Sequence, residues 1–270
     1  MMGVMRLARI AHTEGICFAI IEKSDDGSLI AKEISGTPFT PPEPTGREWP
    51  VDDVRLLSPS LPTKVVALGR NYADHVEEVF KQSSDSLPPT FFLKPSSAVV
   101  GPGAAIKIPD FAKKVEFEGE LAVIIKKVSK NIRAESWRDH VLGYTICNDV
   151  SSRELQHSDG QWTRGKGIDT FCPLGPWIET DLDTVNLDDQ KINAYLTHDG
   201  EREQKQDSNT NLMIIKMGEI LEKISASMTL LPGDVITTGS PAGTAEMVPG
   251  DTIEIEIPGI GTLSNPVAEA

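Results

Sequence analysis

The sequence predicts an α+β protein dominated by antiparallel or mixed sheet, folded as a roll or barrel. Two observations lead to this prediction. Short β-like segments recur along most of the 270 residues, whereas helical patterns are few. Strands and helices also fail to alternate regularly, as they would in a doubly wound parallel sheet. We therefore expect one large sheet-rich domain preceded by a small β appendage.

The first sixty residues predict a small N-terminal β domain and linker. From about Arg6 to Glu33 apolar and polar residues alternate, and Asp25-Asp26-Gly27 supplies a turn between two strands. Four prolines between residues 38 and 44 then indicate a loop or linker. We place the boundary near residue 60, so that the N-terminal part is 1–60 and the main domain 61–270.

In the main domain, apolar runs and alternating patterns predict the strands, and a spacing of three to four residues predicts the helices. The predicted strands are 64–69, 90–93, 105–108, 121–126, 141–148, 191–197, 234–238 and 252–257. The predicted helices are 73–82, 134–140 and 211–224.

Composition excludes several classes of partner. The formal net charge of -14 argues against nucleic acid and against anionic membrane surfaces. No segment approaches the roughly 18 apolar residues of a membrane span, and the start lacks the pattern of a signal peptide. Cys17, Cys147 and Cys172 are odd in number and widely spaced, so we expect reduced thiols and a cytoplasmic protein.

Carboxylates are concentrated where one predicted strand begins. Glu116, Glu118 and Glu120 are two residues apart, so on a strand they share a face. The apolar run 121–125 is typical of a strand covered on both faces, where a buried acid is costly without a cation. Asp149, after the apolar segment that follows, adds a further carboxylate. Oxygen ligands of this kind favour Mg²⁺ or Mn²⁺, whereas a solvated polar face is the alternative.

Two segments near strand ends carry candidate acid–base groups. His75 and Glu78 are three residues apart on a predicted helix, where the carboxylate would raise the basicity of the imidazole as a general base requires. A solvated face of an acidic helix is the alternative. Lys94 ends an apolar strand, where it either neutralises a carboxylate near the metal or extends to solvent.

The remaining candidates contain donors that suit a carboxylate substrate. Arg153 offers a fork of donors, and Gln156 can bond a carbonyl or carboxylate. Lys166 lies in a polar, glycine-flanked segment. Residues 237–244 offer hydroxyls and backbone N–H groups for an anion. The alternatives are a surface Arg–Glu pair, a mobile loop and a plain turn.

In this order, these segments resemble the fumarylacetoacetate hydrolase superfamily over about residues 62–266. The segments that carry the resemblance are Gly69-Arg70-Asn71-Tyr72 with His75 and Glu78, Phe92-Leu93-Lys94-Pro95, Glu118-Gly119-Glu120-Leu121, Asp149, Lys166-Gly167 and Thr238-Gly239-Ser240-Pro241. The resemblance implies the mixed β-roll of that family's C-terminal domain and a homodimer.

The resemblance also implies roles for individual residues. It implies a divalent metal, Mg²⁺ or Mn²⁺, held by Glu118, Glu120 and Asp149. It implies that His75 and Glu78 are a water-activating dyad, with Lys166 as a further catalytic group. The predicted substrate-binding residues are Arg70, Tyr72, Lys94, Arg153, Gln156 and Ser240.

Members of this family act on 2-oxo acids, so we expect cleavage of a C–C bond in a small 2-oxo dicarboxylate. Decarboxylation of oxaloacetate to pyruvate and CO₂ is the first choice, because the predicted lid at 79–87 offers few aromatics to hold a long acyl tail. The alternatives are an acylpyruvate or fumarylpyruvate hydrolase and a 2-hydroxyhepta-2,4-diene-1,7-dioate isomerase. A module that binds carboxylic acids through a metal, without turnover, is the non-enzymatic alternative.

Overall fold

The computed structural model describes residues 5–80 and 89–270. Residues 81–87 of the predicted lid, and the last two residues of the predicted helix 73–82, lie outside the described part. The strands are β1 Arg6–His12, β2 Gly15–Lys23, β3 Leu29–Ser35, β4 Glu43–Pro50, β5 Arg55–Leu57, β6 Val65–Gly69, β7 Thr90–Lys94, β8 Val99–Val100, β9 Ile106–Ile108, β10 Val115–Glu116, β11 Gly119–Ile125, β12 Val141–Asn148, β13 Ser151–Ser152, β14 Cys172–Glu179, β15 Lys191–His198, β16 Glu201–Asn209, β17 Val235–Thr237, β18 Thr252–Ile257 and β19 Gly261–Glu269.

Four α-helices and four short 3₁₀ helices complete the described part of the chain. The α-helices are α1 Ala73–Phe80, α2 Arg153–Ser158, α3 Thr163–Lys166 and α4 Met217–Ser227. The 3₁₀ helices are Val51–Asp53, Ser96–Ala98, Ala134–His140 and Thr210–Leu212. Within the described residues, no helix is long and apolar enough to cross a membrane.

Two large sheets organise the molecule over the described ranges. The larger has twelve strands, in the order β4-β3-β2-β1-β14-β12-β11-β17-β6-β7, with β5 paired to β1 and β8 to β14. The second has the order β16-β15-β18-β19-β9. Antiparallel pairs dominate, but β6 pairs with β17 in parallel. The predicted mixed, sheet-dominated α+β fold is thus confirmed.

The main core lies between the two sheets. Leu121 and Val123 of β11 belong to the same buried cluster as Ile192 of β15 and Ile253 of β18. Every residue of β11 and β12 is buried, which explains the apolar run 121–125, although Glu120, Thr145 and Asn148 are polar. Burial of this apolar surface stabilises β11 and β12, at whose adjoining ends the site lies.

The N-terminal strands continue the larger sheet, because β1 pairs with β14 through Arg6–Glu179 and Leu7–Ile178. The prolines predicted to form a linker end in a strand instead, since β4 includes Pro44 and Pro50. A strand with proline is tolerated here because β4 is the outer strand of the sheet.

The predicted helix 211–224 was wrong at its start. The helix begins only at Met217, because the preceding residues are bound to the segment after β6. Met213 forms an isolated bridge with Tyr72, and Asn71 bonds the backbone of Ile214 and Ile215. These long-range contacts outweigh the local preference for a helix.

Candidate active site

Three carboxylates meet at the adjoining ends of β11 and β12. The antiparallel register pairs Glu120 with Cys147 and Gly119 with Asn148, which brings Asp149 beside Glu118. The Asp149 N–H donates to the Glu118 carbonyl at 2.9 Å. One oxygen from each of Glu118, Glu120 and Asp149 lies within 4.8 Å of the others, and all three residues are buried.

The prediction that Glu116, Glu118 and Glu120 share one strand face was wrong. β10 ends at Glu116 and β11 begins at Gly119, so Glu118 lies in the break between the two strands. Glu116 turns away from the cluster, accepting from Arg153 Nε at 2.7 Å and from Thr244 Oγ1 at 3.1 Å. The break lets Glu118 approach Asp149, while Glu116 anchors an arginine.

Three buried cations form ion pairs with carboxylates of this group. Lys166 Nζ lies 2.7 Å from Glu118 Oε2 and 2.5 Å from Asp149 Oδ2. Lys94 Nζ donates to Asp149 Oδ1, and Arg153 Nη1 lies 2.6 Å from Glu118 Oε1. These cations pair with Glu118 and Asp149, and Glu116 pairs with Arg153 and with the exposed Lys114, whereas Glu120 has no ion pair among the described residues.

Glu120 is the buried carboxylate of this group that has no ion pair among the described residues. Its Oε2 accepts from Gly239 N–H at 3.0 Å, while its buried Oε1 has no hydrogen-bond partner among the described residues. Burial, reinforced by the charges of Asp149 and Glu118, raises the pKa of Glu120 well above its usual range. Burial alone would also raise the pKa of Glu118, but Lys166 and Arg153 outweigh it and lower that pKa.

These residues fit a hard divalent ion. The donor set consists of carboxylate oxygens, the ligands that Mg²⁺ and Mn²⁺ prefer. One buried oxygen of the set, Glu120 Oε1, lacks a hydrogen-bond partner among the described residues, and Glu120 has no ion pair there. A cation bound among Glu118, Glu120 and Asp149 would remove both costs.

His75 lies on α1 and lines a small cavity beside Glu118. Burial lowers the pKa of His75, so its imidazole is neutral at pH 7. Its Nδ1 has no hydrogen-bond partner among the residues described. Glu78 is exposed and accepts from the Gly243 N–H at 3.0 Å. The water-activating pair of His75 and Glu78 therefore stays a prediction.

The structure brings six of the predicted catalytic and substrate-binding residues to this cavity. They are Arg70, His75, Arg153, Gln156, Lys166 and Ser240. Tyr72 and Lys94 do not line the cavity, since both are fully buried. Tyr72 packs in the main core, and Lys94 bonds Asp149 and the Val150 carbonyl. Of its two predicted environments, Lys94 occupies the one beside a carboxylate.

The segment 237–244, predicted to bind an anion, binds carboxylates of the protein itself. Its backbone N–H groups at Gly239, Ala242 and Gly243 donate to Glu120, Asp74 and Glu78, respectively. Gly239 has φ +89, a value that favours glycine. These bonds attach α1 and the metal-ligand candidate Glu120 to one loop.

Sequence reasoning missed Gln206. This buried side chain of β16 accepts from Gly119 N–H at 3.0 Å and donates to Ser240 Oγ at 3.0 Å, so it links β11 to the loop after β17. No sequence signal distinguished it, because β16 is polar almost throughout. The strand itself escaped prediction for the same reason.

Comparison with curated proteins adds two relatives. The chain is 50% identical over 265 residues to Protein Rv2993c of Mycobacterium tuberculosis, an alignment that covers 97% of this chain and 98% of the relative. It is 38% identical over 225 residues to a mitochondrial oxaloacetate tautomerase, fahd2, of Xenopus laevis, covering 80% of this chain and 69% of the relative.

Three solved structures share the fold over 98% of this chain. Cg1458 with inhibitor has a TM-score of 0.96 and 67% identity, and all of that chain is covered. The 2-hydroxyhepta-2,4-diene-1,7-dioate isomerase from Mycobacterium marinum has a TM-score of 0.87 and 49% identity, and 98% of that chain is covered. The maleylpyruvate hydrolase from Sphingobium sp. SYK-6, in complex with Mn²⁺ and pyruvate, has a TM-score of 0.77 and 29% identity, and all of that chain is covered.

Two families match the chain in sequence. Residues 5–59 match the Rv2993c-like N-terminal family. Residues 64–268, which include all three clustered carboxylates and every residue of the cavity, match the fumarylacetoacetate hydrolase C-terminal family. By both sequence and fold, the chain belongs to the fumarylacetoacetate hydrolase family.

Proposed function

We propose that this protein decarboxylates oxaloacetate to pyruvate and CO₂ with Mg²⁺ or Mn²⁺ held by Glu118, Glu120 and Asp149. We place it in the cytoplasm as a homodimer. The observation that carries the proposal is the buried group of three carboxylates beside a cavity lined by His75 and Lys166. A divalent ion there would supply Lewis-acid polarisation of a 2-oxo acid.

The cations of the cavity suit a small dianion. Arg153 and Lys166 both line it, and each is already oriented by carboxylates of the cluster. Gln156 Oε1 accepts from Arg153 Nη1 at 3.0 Å, which leaves its amide N–H₂ to donate to a substrate oxygen. Bidentate donors of this type recognise carboxylates.

Decarboxylation needs charge stabilisation at the keto oxygen. The bond between C3 and the C4 carboxylate breaks, CO₂ leaves, and the electron pair passes toward the C2 keto oxygen. Lys166 contributes a fixed positive charge beside that oxygen, without reorganisation during the reaction. C3 then takes up a proton, and no attacking water is required.

Tautomerisation of the same substrate is a second candidate. The identity of 38% to an oxaloacetate tautomerase favours it, and so does the neutral His75 at the cavity wall. An imidazole of lowered pKa can take the C3 proton and return one to oxygen as a general base and acid. Hydrolysis of an acylpyruvate would in addition require His75 and Glu78 to activate water.

The decisive experiment separates these outcomes on one protein. Purified protein with Mn²⁺ is incubated in separate reactions with oxaloacetate, with acetylpyruvate or fumarylpyruvate, and with a 2-hydroxyhepta-2,4-diene-1,7-dioate. CO₂, pyruvate, carboxylic acid and the enol–keto ratio are followed separately. We expect CO₂ and pyruvate from oxaloacetate in equal amounts. Enol–keto conversion without CO₂ favours the tautomerase, and no conversion of any substrate favours a binding module.

His75→Ala distinguishes reactions that need a proton carrier from decarboxylation. We expect it to stop hydrolysis and strongly slow tautomerisation, by about 10²-fold or more, while part of the decarboxylation remains. His12→Ala is the matched control, because His12 stacks on Trp49 in the N-terminal sheet. Complete loss of decarboxylation in His75→Ala alone would show that His75 is required for C–C cleavage.

A further inference from the structure

The side chain of Trp162 lines the cavity beside the charged residues of the site. This residue directly precedes α3 and is half-buried. Its ring meets Phe92 edge to face, with 5.3 Å between centroids. The Arg70 guanidinium carbon lies 5.4 Å from the ring centroid. The indole is therefore held by ring and cation contacts of the cavity itself.

Gly69, the last residue of β6, makes room for this indole. A Cβ atom at Gly69 would lie 2.2 Å from Trp162 Cζ3 and 2.7 Å from Cη2. Contacts this short do not occur, so any larger residue would force the ring to move. The φ angle of Gly69 lies outside the range that favours glycine, so the requirement at this position is space.

The position of the ring is also tied to the catalytic lysine. The Lys166 N–H donates to the Trp162 carbonyl at 3.0 Å, so Lys166 is one helical turn away from Trp162, the residue that caps α3. A Cβ at Gly165 would lie 2.7 Å from the Gln156 N atom, which shows how closely this helix packs on α2. The backbone of α3 thus has little room to shift, so any widening of the cavity at this wall requires the indole side chain itself to move.

The cavity is small for a substrate. Its volume is about 20 Å³, close to the space that a single water occupies. A 2-oxo dicarboxylate therefore enters only when lining side chains move. Glu118, Arg153 and Lys166 are held by buried ion pairs, whereas Trp162 is the largest uncharged side chain of the wall.

We propose that Trp162, seated against Gly69, sets the upper size of the substrate and restricts the site to short 2-oxo acids. This inference rests on the proposed function, since it presumes a 2-oxo acid in this cavity. It makes Trp162 a specificity-determining residue, while the carboxylates and Lys166 serve substrates of every length.

Shortening Trp162 tests the size limit. We measure kcat/KM with Mn²⁺ for oxaloacetate and for straight-chain 2,4-dioxo acids of five to nine carbons, in wild type, Trp162→Phe and Trp162→Ala. We expect Trp162→Ala to raise the ratio of long-chain to oxaloacetate kcat/KM about tenfold or more, the scale of one or two methylenes in a pocket. Trp49→Ala, in the N-terminal sheet, should leave the ratio unchanged.

A double-mutant cycle with Gly69→Ala tests the contact without metal or substrate. We expect Gly69→Ala to lower the melting temperature in the wild-type background and to have almost no effect beside Trp162→Ala, since the clashing ring is gone. Equal effects of Gly69→Ala in both backgrounds would overturn the contact, and an unchanged chain-length ratio in folded Trp162→Ala would overturn the size limit.

Binding separates this inference from the proposed function. Pyruvate and the bulkier 4-phenyl-2-oxobutanoate are titrated calorimetrically into the Mn²⁺-loaded proteins. We expect Trp162→Ala to gain affinity for the bulky acid relative to pyruvate. If the wild type turns over no 2-oxo acid but this gain appears, the size limit stands and the proposed reaction falls. If turnover is present and the gain is absent, the size limit falls alone.

Discussion

Two groups of ion pairs in this protein contain the same chemistry in opposite surroundings. On the N-terminal sheet, Arg47 binds Glu33 and Glu14, and the Arg47 side chain is 49% exposed. In the site, Lys166 binds Glu118 and Asp149, and none of these three side chains is more than 5% exposed. Water can take the place of a lost carboxylate on Arg47 but not on Lys166, although Glu33 itself is buried. A buried carboxylate without a cation of the protein, as at Glu120, therefore points to a ligand site, whereas an ion pair that reaches solvent does not.

The largest expected difference between the two groups is in activity. We expect Glu118→Ala to reduce metal-dependent turnover about 10³-fold or more, because it removes a ligand and with it much of the Lewis-acid stabilisation. Glu33→Ala is the matched control and should retain wild-type turnover. Steady-state rates at saturating Mn²⁺ and substrate check both, and an unchanged rate in Glu118→Ala would refute its role.

The second largest difference should be in how much an ion pair contributes to the free energy of unfolding. We expect Lys166→Met to lower the free energy of unfolding by about 3–5 kcal/mol, because two buried carboxylates lose their cation. Lys32→Met removes an exposed pair with Glu22, where water takes over both charges, so the free energy of unfolding should change far less. Urea denaturation without metal measures both. Equal losses would mean that the buried lysine is not needed to balance the cluster.

Metal binding should release protons from the buried group of carboxylates, a further difference from the pairs on the N-terminal sheet. Because burial and the neighbouring charges of Asp149 and Glu118 raise the pKa of Glu120, this carboxyl keeps its proton to higher pH than an ordinary glutamate without metal, and a bound cation should displace that proton. Affinity for Mg²⁺ should therefore rise with pH. Calorimetry in two buffers of different ionisation enthalpy counts the protons released, and proton-free binding would contradict the shifted pKa.

The smallest effect is expected at the surface pair. Arg47, then Thr45, lowers the pKa of Glu33 to about 2. A lowered pKa stabilises the fold above the unfolded value of about 4.3, and the contribution is lost as the pH falls toward 2. Arg47→Gln should therefore be slightly less stable than wild type at pH 7 and equal to it near pH 2. Denaturant melts at both pH values measure this, and a difference that grows toward low pH would reverse the sign.

Much of the fold followed from local patterns. The predicted strands 141–148 and 252–257 match β12 and β18 at both ends, because apolar runs and strict alternation reflect burial directly. Where polar residues fill a strand, as in β16, burial leaves no trace in the sequence and the strand was missed. Sheet-edge strands with proline, such as β4, were missed because local rules describe central strands best.

The sequence by itself predicted the sheet-rich fold class, and its resemblance to the family selected Glu118, Glu120 and Asp149 where spacing alone had also included Glu116. Only the tertiary structure decided that Glu116 anchors Arg153, that Glu78 bonds Gly243, and that Gln206 joins two distant segments. The fit of Trp162 against Gly69 was equally hidden. The physical reason is range: periodicity reports which face of an element is buried, whereas a hydrogen bond or a ring in a gap depends on ångström distances between segments far apart in the chain.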